Sequence, residues 1–73
     1  MEIQHDKFIQ IVESFLNILL NTMGEKEYRD FIENNPILVE YDNMMEDDKE
    51  NEIPYELIEQ VHQIVKNKVE TLQ

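Results

Sequence analysis

The residues best suited to hold a metal ion are two glutamate–histidine pairs, Glu2 with His5 and Glu59 with His62. Each pair has Glu-x-x-His spacing, which places both side chains on one side of a helix, and carboxylate-bridged di-iron bundles use two such motifs. Glutamate accounts for 12 of the 73 residues, so this spacing arises readily by chance. We therefore expect solvated side chains at these positions, and no metal or other cofactor.

The acidic stretch that begins at Asp42 has the composition of a calcium-binding loop but not its pattern. An EF-hand loop needs an oxygen ligand at its third position, glycine at its sixth and glutamate at its twelfth. Counted from Asp42, those positions hold Met44, Asp47 and Ile53. We expect no dedicated calcium site here.

Nucleophilic and acid–base catalysis have few candidate residues. Ser14 is the single serine, cysteine is absent, and the lone Gly24 cannot form a glycine-rich loop that cradles a phosphate. Carboxylates are so numerous that no pair of them stands out as a general acid and base. We expect a protein that is not an enzyme.

The charge of the chain indicates which partners it favours. With 17 acidic and 6 basic residues, the net charge is −11. Binding to nucleic acid or to an anionic membrane requires clustered lysine and arginine, so we expect neither. Residues 35–53 carry −6 of the net charge, and such a surface attracts a partner protein with a basic surface. The alternative is that the charge only keeps a small protein in solution.

The predicted protein-binding site lies in that acidic region, where apolar side chains adjoin carboxylates. Methionine side chains adapt to irregular partner surfaces, and neighbouring carboxylates would attract a basic partner. The predicted site comprises Tyr41, Asp42, Met44, Met45, Glu46, Asp47, Asp48, Glu50 and Glu52. The alternative is that the methionine pair belongs to the core and that the charged run is a solvated loop.

Two long amphipathic helices are predicted, at residues 5–23 and 54–72. The apolar positions of the first cover roughly 200° of its circumference, which is more than one neighbouring helix can cover. Small domains without disulfides or metals often rely on oligomerisation, so a homodimer is expected. The predicted interface is Ile11, Phe15, Ile18 and Leu19.

Two short helices are predicted between the long ones, at residues 25–34 and 36–45, with an acidic loop at residues 46–52. Gly24 can take the left-handed conformation that ends a helix. Asn35 followed by Pro36 is a typical helix start, with the asparagine as the N-cap. The predicted fold is therefore all-α, a three- to four-helix bundle forming a single domain over residues 1–73, with the long helices antiparallel or crossing.

The predicted function is that of a small acidic protein-binding module: a regulator, an inhibitor or an immunity-type protein that engages a basic surface. The alternative is a structural or assembly subunit that acts through helix-mediated homo-oligomerisation. The absence of cysteine, of a basic N-terminal region and of a long apolar run favours a cytoplasmic location. The chain has no alanine and is rich in isoleucine and asparagine, a bias typical of an AT-rich genome such as that of a low-GC bacterium or its phage.

Overall fold

The structure is a computed structural model and describes residues 4–72. Within this range the chain forms four α-helices: α1 (His5–Met23), α2 (Glu25–Glu33), α3 (Pro36–Glu46) and α4 (Tyr55–Leu72). A 3-10 turn at Glu50–Glu52 lies between α3 and α4. The predicted all-α bundle is confirmed, and the predicted bounds of each helix are confirmed to within one residue.

Gly24 is the sole residue between α1 and α2. Its backbone has φ +89° and ψ 158°, a region that residues with a Cβ rarely enter. Its N–H donates to the carbonyl of Leu20 at 3.0 Å, and its carbonyl accepts from the N–H of Tyr28 at 3.0 Å. Gly24 therefore ends α1 and starts α2, although its ψ differs from that of the predicted left-handed helical conformation.

Asn35 and Pro36 separate α2 from α3. Pro36 is the first residue of α3, as predicted, and Asn35 before it is extended with φ −121°, as expected for a residue that precedes proline. The predicted side-chain N-cap is wrong, because Nδ2 of Asn35 instead donates to the carbonyl of Phe31 at 2.7 Å. The side chain thus satisfies a free carbonyl at the end of α2 rather than the start of α3.

The core is built mainly from α1 and α4, with contributions from α3 and from Ile53. The buried side chains are Phe8, Ile9, Val12, Leu16, Leu19, Leu38, Tyr41, Ile53, Leu57, Ile58, Val61, Val65 and Val69. α2 adds half-buried side chains that pack against this core, namely Tyr28, Phe31 and Ile32. Because α1 is flanked by both α2 and α4, most of its wide apolar arc is covered within one chain.

The two long helices pack against each other with their starts at the same end of the molecule. His5 Nε2 donates to the carbonyl of Ile53 at 2.9 Å, and the rings of Phe8 and Tyr55 lie 5.2 Å apart. Further along both helices, the rings of Phe15 and His62 lie 5.6 Å apart. The contacts advance in the same sense along α1 and α4, which an antiparallel pair would not show.

The acidic segment at residues 46–52 has more regular structure than the predicted loop. Glu46 belongs to α3. Asp48 has φ +59°, its N–H donates to the carbonyl of Met45 at 3.3 Å, and the N–H of Lys49 donates to the carbonyl of Met44 at 2.9 Å. These bonds form a Schellman motif, which usually has glycine at the left-handed position. The segment is thus a capped helix end followed by the 3-10 turn.

Candidate functional site

Tyr41 lies in the core and not on the binding surface predicted for it. It faces α1 from α3 and is only 3% exposed. Its hydroxyl donates to Oε2 of Glu13 at 3.2 Å. The inclusion of Tyr41 in the predicted surface was wrong, because its position on α3 turns its ring toward the hydrophobic interior.

The two methionines next to it are half-buried. Met44 and Met45 both pack against the core. Much of each side chain is therefore buried within the chain, as in the alternative that treats the methionine pair as core. The predicted carboxylates are all exposed, namely Asp42, Glu46, Asp47, Asp48, Glu50 and Glu52. The carboxylates of the predicted site therefore lie at the surface, whereas its apolar side chains are largely packed against the core.

A groove between α2 and α3 supplies apolar surface that the sequence did not reveal. It encloses about 520 Å³, and we call it the α2–α3 groove. Its apolar lining is Leu20, Tyr28 and Ile32, and its charged lining is Glu25, Arg29, Glu33, Asp42 and Glu46. Two members of the predicted site, Asp42 and Glu46, thus border an apolar depression rather than an exposed methionine pair.

The charges of the groove are incompletely balanced. Nη2 of Arg29 lies 3.4 Å from Oε1 of Glu25 one helical turn before it, and both side chains are exposed. Within residues 4–72, no other lysine, arginine or histidine forms an ion pair with a groove carboxylate. Glu33, Asp42 and Glu46 therefore leave the groove with a negative potential.

Behind the groove, a half-buried carboxylate adds to this negative potential. Burial raises the pKa of Glu13, the hydrogen bond from Tyr41 lowers it, and the nearby charges of Asp42 and Glu50 raise it further. Burial also raises the pKa of Tyr28, and the charges of Glu13 and Asp42 raise it too. The pKa of Tyr41 is raised above its ordinary range, first by burial and then by Glu13. Both phenols are thus neutral around neutral pH.

The four residues of the predicted oligomer interface have different surroundings. Leu19 is fully buried in the core, so its prediction as an interface residue was wrong: α1 packs this position against its own chain. Phe15 is half-buried, and its ring lies in an edge-to-face arrangement with the ring of His62. Ile11 and Ile18 are 38% and 47% exposed and remain available to a second chain.

The histidines of the two Glu-x-x-His pairs occupy separate settings. Glu2 lies outside the described residues. His5 is engaged with the carbonyl of Ile53, and His62 packs edge-on against Phe8 and Phe15. Residues 4–72 contain no group of three or more histidine, cysteine or acidic side chains arranged to hold a metal ion.

Sequence reasoning missed Glu13 and the residues of α1 and α2 that line the groove. Leu20 and Glu13 flank one edge of the apolar arc of α1, at positions 20° apart on a helical wheel of 100° per residue. The acidic Glu13 at the edge of the apolar arc, beside Leu20, was a signal in the sequence that could have identified this edge as part of a site. The pairing of α2 with α3 to form a groove depends on the short Gly24 and Asn35 junctions, and periodicity alone does not predict it.

None of the helices within residues 4–72 has the length and apolar content needed to cross a membrane. Comparisons with models of known protein families, with curated proteins and with solved structures found no match to this chain.

Proposed function

We propose that this chain is a non-enzymatic binding protein that engages a basic surface of a partner protein, as a regulator, an inhibitor or an immunity-type protein. The observation that carries the proposal is the α2–α3 groove, where an apolar lining adjoins carboxylates, of which Glu33, Asp42 and Glu46 have no cationic partner among residues 4–72. Apolar surface supplies affinity in protein interfaces, and complementary charge speeds encounter and selects the partner. A cytoplasmic location is part of the proposal.

The test begins with affinity capture from the native host and identification of bound proteins by mass spectrometry. The captured protein is then purified, and its affinity is measured at low and high salt. We expect binding to weaken as salt rises, because exposed charges are screened over about 10 Å at 0.1 M ionic strength. Salt-insensitive binding would contradict the proposal.

Two matched variants of the full chain locate the charge that matters. One neutralises the acidic segment through Asp47→Asn, Asp48→Asn, Glu50→Gln and Glu52→Gln. The control neutralises four exposed carboxylates on other surfaces, Glu27, Glu56, Glu59 and Glu70. A basic partner that docks at the acidic end should lose affinity for the first variant and retain it for the second. Unchanged affinity for the first variant would remove the acidic segment from the site.

A second candidate function, as a helix-mediated assembly subunit, is favoured by the exposed edge of α1. Ile11 and Ile18 lie two helical turns apart on that edge, and together they offer apolar surface to a second copy. The measurement is sedimentation of the wild type against an Ile11→Glu, Ile18→Glu variant. Assembly of the wild type that does not depend on salt concentration and is lost in the variant would support this function. A wild type that is monomeric at every accessible concentration would reject it.

A further inference from the structure

The α2–α3 groove is lined by residues from three helices and has an excess of negative charge. Leu20 comes from the last turn of α1, Tyr28 and Ile32 come from α2, and Asp42 and Glu46 come from α3. Its volume of about 520 Å³ falls within the range of about 300–1,000 Å³ that is common for ligand sites. A side chain that enters this groove contacts both apolar side chains and carboxylates.

One cationic side chain already belongs to the lining of the groove. The guanidinium of Arg29 already lies in the lining, 3.4 Å from Glu25. That pair uses one carboxylate, so Glu33, Asp42 and Glu46 remain for an external cation. A neutral apolar occupant would desolvate these carboxylates without compensating them, which is unfavourable.

Arginine fits this lining better than lysine does. Its guanidinium is planar and weakly hydrated, binds carboxylates through two parallel hydrogen bonds, and stacks on aromatic rings. The half-buried ring of Tyr28 supplies an aromatic surface next to Asp42 and Glu46. A lysine ammonium is a compact, strongly hydrated charge and would gain less from the apolar lining.

A second copy of this chain does not supply that arginine. Arg29 is the single arginine in the sequence and is paired with Glu25. Two copies, each with a net charge of −11, also repel one another. The occupant therefore comes from a different, basic protein.

We infer that the α2–α3 groove binds an arginine side chain of the partner, with the aliphatic part of that side chain against Leu20 and Ile32 and its guanidinium between Tyr28 and the carboxylates of Asp42 and Glu46. This inference rests on the proposed function and makes it specific. It names the residue type that the groove recognises and the groove residues that contact it.

The experiment titrates the full chain, labelled with ¹⁵N, with three capped peptides and follows the amide resonances. The peptides are acetyl-Leu-Arg-Ala-Leu-Arg-amide and the same sequence with lysine or citrulline in place of both arginines. We expect the arginine peptide to shift the amides of Tyr28, Ile32, Asp42 and Glu46. The lysine peptide should bind about three- to tenfold more weakly, and the neutral citrulline peptide should not bind.

Two variants with equal changes of charge separate the groove from general attraction. Asp42→Asn with Glu46→Gln removes two groove carboxylates, and Glu56→Gln with Glu70→Gln removes two exposed carboxylates that do not line it. We expect the groove variant to weaken binding of the arginine peptide about tenfold, because it removes two close ion pairs that each contribute about threefold. The control variant should weaken binding by less than about twofold, because it removes no close ion pair. All four side chains are exposed, and circular dichroism checks that both variants fold.

The outcomes distinguish this inference from the proposed function. Equal weakening by both variants, or equal affinity for the arginine and lysine peptides, would overturn the groove as an arginine site and leave a general acidic binding surface in place. Shifts confined to the groove amides with the expected order of peptides would support it. Failure to capture a basic partner from the host would reject the proposed function, while the peptide titration would still test the groove.

Discussion

Removal of the Tyr41 hydroxyl tests the contact that joins α3 to α1. Tyr41→Phe keeps the buried ring and deletes the Oη atom that donates to Glu13 at 3.2 Å. The carboxylate then stays half-buried without its donor. We expect the variant to fold and to be less stable than the wild type.

The size of the loss follows from the charge and burial of the acceptor. A hydrogen bond to a charged group is worth about 1.5–3 kcal/mol when it is buried. Glu13 is only half-buried, so water screens part of this value, and we expect a loss of about 1 kcal/mol. Domains under about 80 residues rarely exceed about 3–5 kcal/mol of total stability, so the loss is a substantial fraction of the whole.

The assay is urea unfolding followed by far-UV circular dichroism. With a slope of about 1 kcal/mol per molar urea for a small domain, the midpoint should fall by about 1 M at neutral pH. The control is the same substitution in a Glu13→Gln background, where the acceptor is neutral. There the loss should fall to roughly half, about 0.5 kcal/mol, because a hydrogen bond to a neutral acceptor is about half as strong as one to a carboxylate.

Acid provides a second readout of the same contact. The Tyr41 hydrogen bond favours the charged form of Glu13 and so lowers its pKa. The cost of Tyr41→Phe should therefore be full at neutral pH and should decrease as pH falls through the pKa of Glu13, where the carboxyl becomes protonated. The opposite result is that Tyr41→Phe costs the same free energy of unfolding in the wild-type and Glu13→Gln backgrounds, and the same at neutral pH as below the pKa of Glu13. That result would refute the coupling of Tyr41 to Glu13.

Three further changes test other parts of the structure. Gly24→Ala should lower the free energy of unfolding by about 1–3 kcal/mol through backbone strain alone, because no atom lies within 4 Å of the added Cβ; unchanged thermal stability would contradict the positive φ. Asp48→Gly should raise stability by about 1 kcal/mol, since glycine takes the left-handed conformation without the penalty that aspartate bears; a lower urea midpoint would argue against the Schellman motif. The pKa of Glu13 is raised in the folded state, first by burial, above its ordinary value of 4.5. Its contribution to stability is therefore fully present below that value and is lost as pH rises through the folded-state pKa. Chemical denaturation should show greater stability near about pH 4 than at neutral pH for the wild type, with a flatter profile for Glu13→Gln.

The helices were predictable because local signals agreed with one another. Ile37 to Val39 alone would suit a strand, but Tyr41 and Met45 continue the helical spacing, and Pro36 supplies the start of α3. Gly24 marked the end of α1 correctly. These features act within one or two turns of the chain, so periodicity and turn chemistry suffice to predict them.

The candidate site was only partly predictable because it depends on the way distant segments meet. The carboxylates of Asp42 and Glu46 are exposed as predicted, but nothing local shows that Tyr41 turns inward to reach Glu13, 28 residues away. Leu19 was assigned to a second chain because the apolar arc of α1 is too wide for one neighbour. Because both α2 and α4 flank α1, one chain covers most of that arc, and Ile11 and Ile18 stay exposed.

The packing of α1 against α4 also determines the order in which the chain can bury its apolar surface during synthesis. The contact between His5 and Ile53 spans 48 residues, so the largest apolar face of α1 lacks its main cover until α4 has left the ribosome. Local pairing of α1 with α2 can form within about microseconds, but this shields only part of that face. The nascent chain therefore passes through a stage in which Phe8 and Val12 of α1 are not yet covered by Val61 of α4. During that stage, repulsion between the negative charges of neighbouring chains opposes their aggregation.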